Sequence, residues 1–296
     1  MKELLCRKCN TKFDTTLLGN IKFCPFCGSE LRDNNTPAAN MSSSDKYKKF
    51  YEMSIDYLNS IKPEDIDITE YFDKKECNNF KDILICFIST LQDYQSMPNI
   101  IGFNSKPERK ETYNKIFCDY DHMKILDNYD EDSLFNEFCK NFPVNNANSK
   151  QNSWRKWARG IIDVCGYLSR FDTPEDFNEH FRSFNGDLEG IVELQDNIYC
   201  MGFALSCNVI KDLGFTDYCK PDTHLIDVLS EIGFCSDNPR SVFYKVREIA
   251  EANNITPFHL DSIIWLICSG YYYKHDGIKI GSHKKEYIDL LKNELL

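Results

Sequence analysis

The chain has 296 residues, 42% of them hydrophobic and 14% aromatic, enough apolar material for a sizeable core and one or two domains. Its formal net charge of −11 predicts weak non-specific binding to DNA and strong salt sensitivity, so contact with nucleic acid would have to rely on a local basic cleft. The longest apolar run, 263–268, is far too short to span a bilayer, and MKELLCRKC at the N-terminus has no apolar signal segment. With fourteen Cys, these features predict a cytoplasmic protein without a membrane partner, its thiols serving as metal ligands or core packing.

Cys6, Cys9, Cys24 and Cys27 form two C-x-x-C pairs separated by fourteen residues. Four thiolates in two close pairs suit a tetrahedral structural zinc with no open coordination position, and CPFCG reads as a zinc-ribbon knuckle. Lys12–Phe13 and residues 21–23 suit short strands between the knuckles. Arg7, Lys8, Lys12 and Lys22 make the ribbon mildly basic, compatible with binding nucleic acid or protein. Residues 33–45 (DNNTPAANMSSSD) read as a flexible linker. The expected organisation is therefore a ribbon at 1–32, a linker at 33–45 and a helical domain at 46–296.

The helical domain opens with helices over 47–61 and 80–91; the second is apolar nearly all round and reads as central core. Residues 99–148 are acidic and less regular. Residues 153–169 (SWRKWARGIIDVCGYLS) form the most basic stretch of the domain. On a helix, Trp154 and Trp157 share one face and Arg155 and Arg159 another. That arrangement fits either base stacking with phosphate contact or core tryptophans beneath a solvated basic face. Phe177, Phe181 and Phe184 form a core stripe, residues 240–252 and 257–269 are two further helices, and Trp265 reads as core.

The most informative stretch is 187–233. Residues 187–197 are helix-like, Tyr199–Phe203 (YCMGF) is a turn, and Met201, Leu205, Val209 and Leu213 form a helical stripe ending at Gly214. Pro221 and Asp222 open a second helix, with Leu225, Val228, Leu229 and Ile232 at i, i+3, i+4 and i+7. Asp222 is thus expected at its N-cap, where backbone N–H groups and the positive helix end favour an ionised carboxylate.

Helix, Gly-bearing hairpin, helix, then an Asp in KPDTHL: this resembles the helix-hairpin-helix DNA glycosylases of the endonuclease III-like superfamily. In that family the hairpin usually reads G-x-G, a Lys two residues later gives some members lyase activity, and the catalytic Asp follows eighteen residues after that Lys. Here Ala204 holds the Lys position, Asp222 lies eighteen residues on, and Cys200 replaces the first Gly. The resemblance implies a mainly α, two-lobed domain and a monofunctional enzyme that flips an altered base out of duplex DNA and leaves an abasic site. It makes Asp222 catalytic and gives Tyr199, Cys200, Met201, Gly202 and Phe203 to a DNA phosphate, with an alkali ion at the hairpin. It points to His224, Arg155 and Arg159 as further DNA contacts, Gln92 or Tyr94 as a wedge into the gap left by the base, and Tyr94, Trp154 and Trp157 as base-pocket walls. Some relatives hold an iron–sulfur cluster on four C-terminal Cys; after Asp222 only Cys235 and Cys268 remain, so none is expected. The rival expectation is a non-catalytic nucleic-acid-binding or adaptor protein in which Asp222 merely caps a helix.

Overall fold

The computed structural model describes residues 3–5, 12–14, 42–95 and 97–296; Cys6, Cys9, Cys24, Cys27 and most of the expected linker lie outside the described residues. The chain divides into two compact units, 1–49 and 50–296. In the first, β1 (Glu3–Leu5) and β2 (Lys12–Asp14) pair antiparallel. Helix α1 (Ser43–Ile61) begins inside the span read as linker. Ser42 Oγ accepts the Asp45 N–H at 3.1 Å and donates to the Asp45 carboxylate at 2.8 Å, a reciprocal cap that starts the helix early.

The protein is mainly α, with fourteen α-helices among the described residues. No described helix is long and apolar enough to cross a membrane. Helix α2 (Phe80–Gln92) starts at Asn79, whose side chain accepts the Asp82 N–H, and buries Ile83, Leu84, Phe87 and Ile88 completely. After α3 (Met97–Ile101), α4 (Lys110–Ile116), α5 (His122–Asn128) and α6 (Glu131–Asn141) comes α7 (Ser153–Leu168), capped by Asn152. Helices α2, α5 and α6 pack around α7 because its apolar positions 154, 157, 158, 161, 164, 165 and 168 form one continuous face.

Helices α8 (Pro174–Ser183) and α9 (Leu188–Asn197) lead to the hairpin and α10 (Phe203–Asp212), which packs on α9 and α2. Helices α11 (Thr223–Glu231), α12 (Pro239–Ala252) and α14 (Lys284–Leu295) gather on α13 (Pro257–Ser269), whose Ile263, Ile264, Leu266 and Ile267 are fully buried. Between α13 and α14 a small antiparallel pair, β3 (Tyr271–Tyr272) and β4 (Ile278–Lys279), is pinned by Tyr71, whose hydroxyl accepts the Lys274 N–H and bonds His275 Nδ1 at 2.9 Å.

Gly214 ends α10 as the stripe predicted. Its φ is +108°, and an added Cβ would stand 2.5 Å from the backbone of Lys75 and Glu76. Backbone strain and a clash with main chain act together here. Gly214→Ala is expected to lower the unfolding free energy by about 2 to 4 kcal/mol, read from the urea midpoint; an unchanged midpoint would contradict this packing.

Burial pushes the imidazoles of His122 and His259 below their ordinary value of 6.5. His259 stacks flat on Phe72, with ring centroids 4.0 Å apart. Neutral His in the fold and ordinary His in the unfolded chain give stability that is complete above pH 6.5 and lost as pH falls through the lowered folded value. The urea midpoint should drop on acidification through that window, and the drop should shrink in His259→Phe. A variant with the wild-type pH dependence would remove His259 from this account.

Candidate active site

The segment leading to Asp222 is fixed from three directions. The Asp222 N–H donates to the Lys220 carbonyl at 2.7 Å across Pro221, a three-residue turn that the ring's restricted φ suits. The Lys220 N–H donates to Asp261 Oδ2 at 2.8 Å, and the same oxygen accepts Lys211 Nζ at 2.8 Å. Asp261 lies on α13 and is 1% exposed; Lys211 lies on α10, its side chain 14% exposed. One buried carboxylate thus ties together the helix after the hairpin, the loop before Asp222 and the central helix α13. Burial opposes the Lys211 charge, but Asp261, Asp212 and Asp222 outweigh it and hold the ammonium above its ordinary value.

Asp222 is half-buried at the N-cap of α11, where its Oδ1 accepts the N–H groups of His224 at 2.8 Å and Leu225 at 3.3 Å. Among the described residues, Oδ2 receives no hydrogen bond. His224 is half-buried, and its Nδ1 is buried without a hydrogen-bond partner.

The hairpin between α9 and α10 is built on Cys200, not on a glycine. Cys200 has φ +66°, a left-handed conformation that costs a residue with a Cβ about 1 to 2 kcal/mol. Burial pushes its thiol up, leaving it neutral. Met201 is buried. Gly202 has an ordinary φ of −78°, is exposed, and an added Cβ there would meet nothing within 4 Å. The fold itself therefore does not require a glycine at 202; its absent side chain leaves open space over the first turn of α10. That helix has no side-chain cap, so its leading N–H groups face the open side. Phe203 is half-buried beneath the Arg240 guanidinium, 5.3 Å from its ring centre. Tyr199 donates its N–H to Asp163 at 2.9 Å and lies under Arg159, whose Cζ is 4.1 Å from the ring centre.

Three residues are placed otherwise than the sequence suggests. Gln92 is 2% exposed and its Oε1 accepts the Phe103 N–H at 2.8 Å, so it holds the α3 loop and does not project as a wedge. Trp154 and Trp157 are 1% and 0% exposed, packed with Phe138 and Phe142, and present no face to a pocket. Tyr94 remains half-buried at the end of α2, with Lys156 Nζ 5.7 Å from its ring centre. Arg155 is engaged by Asp132 and lies over Phe135, whereas Arg159 is exposed.

A cleft of about 720 Å³ opens between α2, α10, α13 and the Tyr271–Tyr273 segment. Its aromatic lining is Trp265, Tyr271 and Tyr273 with the more deeply buried Tyr71 and Phe258, so Trp265 is a half-buried wall residue, not core. Lys211 and Lys220 line it, carrying the Asp261 clamp to its edge; Asp222 itself is not among the lining residues. Asn208 Nδ2 is spent on Asp212 at 3.0 Å. Sequence reasoning missed Lys211, Asp261 and the Trp265–Tyr273 wall; the one local signal was Asp261 as the single acidic residue of a largely apolar helix.

Removing one partner of a buried ion pair leaves the other uncompensated. Asp261→Ala is expected to cost about 3 to 5 kcal/mol of stability in urea unfolding. A loss below about 1 kcal/mol would fit a solvated, dispensable pair instead. Compared with known proteins, the chain matches no protein family, no curated protein and no solved structure.

Proposed function

We propose that the chain is a monofunctional DNA glycosylase that hydrolyses the N-glycosidic bond of a damaged or modified base and leaves an abasic site. The observation that carries the reading is the combination at 198–222: a hairpin whose Gly202 leaves open space over an uncapped helix end, followed by a carboxylate clamped in place with one oxygen outside its cap bonds. In this reading the hairpin and the first turn of α10 give backbone N–H groups to a DNA phosphate, with an alkali ion beside them. The target nucleotide is flipped from the stack between two helical lobes, and the cleft bearing Trp265, Tyr271 and Tyr273 takes its planar base.

Breaking the bond between base and sugar develops positive charge on the sugar. Asp222 stabilises that charge through Oδ2 and orients or deprotonates the attacking water. Ala204 offers no amine at the hairpin, and Lys211 is held by Asp261, so base loss and not strand cleavage is the expected outcome at these two positions. The N-terminal Cys6, Cys9, Cys24 and Cys27 hold a structural zinc in this account, and the protein works in the cytoplasm.

The second reading is a nucleic-acid-binding module without catalysis. It is favoured by the fact that both hydrogen bonds of the Asp222 carboxylate are cap bonds. Duplexes bearing oxidised, alkylated, deaminated or enzymatically modified bases, incubated with the protein and then heated in alkali, separate the two. The enzyme produces alkali-revealed breaks. Asp222→Asn, which keeps an equally good N-cap, should reduce them by at least about 100-fold without a change in melting temperature. Binding of every duplex with no alkali-labile product would support the module.

A further inference from the structure

A second cavity, of about 580 Å³, lies beside the hairpin and outside the cleft. It is lined by Lys150, Arg155, Lys156, Arg159 and Tyr199, with Glu131 and Asp132 on one wall. In a chain of net charge −11, four cations around one groove are a marked local reversal of sign. We propose that this groove is a phosphodiester track that holds one strand of nucleic acid alongside the hairpin. The proposal rests on the reading of the hairpin as a nucleic-acid contact and adds the surface that carries most of the electrostatic affinity.

The cations are not equivalent. Arg155 is already paired with Asp132 and lies over Phe135, its Cζ 4.1 Å from the ring centre. Lys150, Lys156 and Arg159 form no ion pair among the described residues. Lys156 and Arg159 are three apart on α7 and share a face. Lys150 sits on the preceding loop, which Asn152 fastens by donating to the Asn145 and Asn146 carbonyls at 2.8 and 3.2 Å. The hairpin is fastened to the same helix. Tyr199 donates its N–H to Asp163, and an added Cβ at Gly160 would stand 3.1 Å from the Tyr199 carbonyl oxygen. Lys156, Arg159 and the hairpin are therefore held by one helix, α7.

Two features favour nucleic acid over another polyanion. Arg159 and Lys156 lie over the rings of Tyr199 and Tyr94, which places aromatic faces beside the cations for a splayed base. Tyr199, which lines the groove, also lies four residues before Phe203, the first residue of the uncapped α10, and such a helix end suits phosphate. Asp132 opposes the bound strand by its own charge and by occupying Arg155. Its removal should therefore tighten binding.

The test uses the full chain and a fluorescein-labelled, undamaged duplex, with binding followed by anisotropy across a potassium chloride series. Each phosphate contact contributes about 0.9 to the slope of log K against log salt. Lys150→Gln/Lys156→Gln/Arg159→Gln should flatten that slope by about 2 to 3, and each single change by about 0.9, with melting temperatures near wild type. Asp132→Asn should raise affinity several-fold. An unchanged slope in the singles and the triple variant, or displacement of the duplex by polyglutamate as readily as by unlabelled DNA, would overturn the proposal. Failure here is distinct from failure of the enzyme reading. A flattened slope in the triple variant supports the track even where no base is ever released, and base release with an unchanged slope overturns the track while leaving the enzyme standing.

Discussion

The shared carboxylate oxygen of Asp261 is the constraint on which the candidate site depends. It accepts both the Lys211 ammonium and the Lys220 N–H, so a single buried atom sets the distance between the helix after the hairpin and the turn that delivers Asp222. A neutral hydrogen bond at either position would fix one element. A charged one, placed where water is scarce, fixes two, because neither partner can leave without stranding the other. The turn before Asp222 is therefore anchored to two helices by one buried carboxylate, as the proposed role of Asp222 requires.

The hairpin shows a different allocation of strain and space. The left-handed position falls on Cys200, where a side chain is costly, and glycine is kept at 202, where the fold would accept a side chain without contact. Strain that persists at one residue while room is left at the next suits a turn shaped for something that approaches from outside. Gly160 is the opposite case: an added Cβ would stand 3.1 Å from the Tyr199 carbonyl oxygen, so glycine there lets α7 carry the hairpin at close range.

Much of this was legible in the sequence wherever the signal is local. The helix end before Gly214 and the helix start at Pro221 and Asp222 each need only a few residues of context, and the structure has both, although Met201 precedes α10 and Leu205 is only half-buried. The N-cap of Asp222 is equally local: its bonds reach residues 224 and 225. The clamp was not legible, because Asp261 lies 50 residues from Lys211 and 41 from Lys220. Helical periodicity put Trp154 and Trp157 on one face but carried no information about whether that face meets solvent or Phe138 and Phe142. Gln92 looked free because its partner, the Phe103 N–H, arrives from a loop eleven residues away. Trp265 misled in the opposite sense: it sits in an apolar helix, yet the chain leaves a cleft over it.

What most directly tests the central claim is the chemical fate of the base. Stoichiometric protein is mixed with duplexes carrying altered bases, and small molecules released are identified by mass spectrometry while abasic sites are counted with an aldehyde-reactive probe. The account predicts intact free base appearing in step with abasic sites, one for one. Duplexes that are bound but yield neither free base nor abasic sites would contradict it.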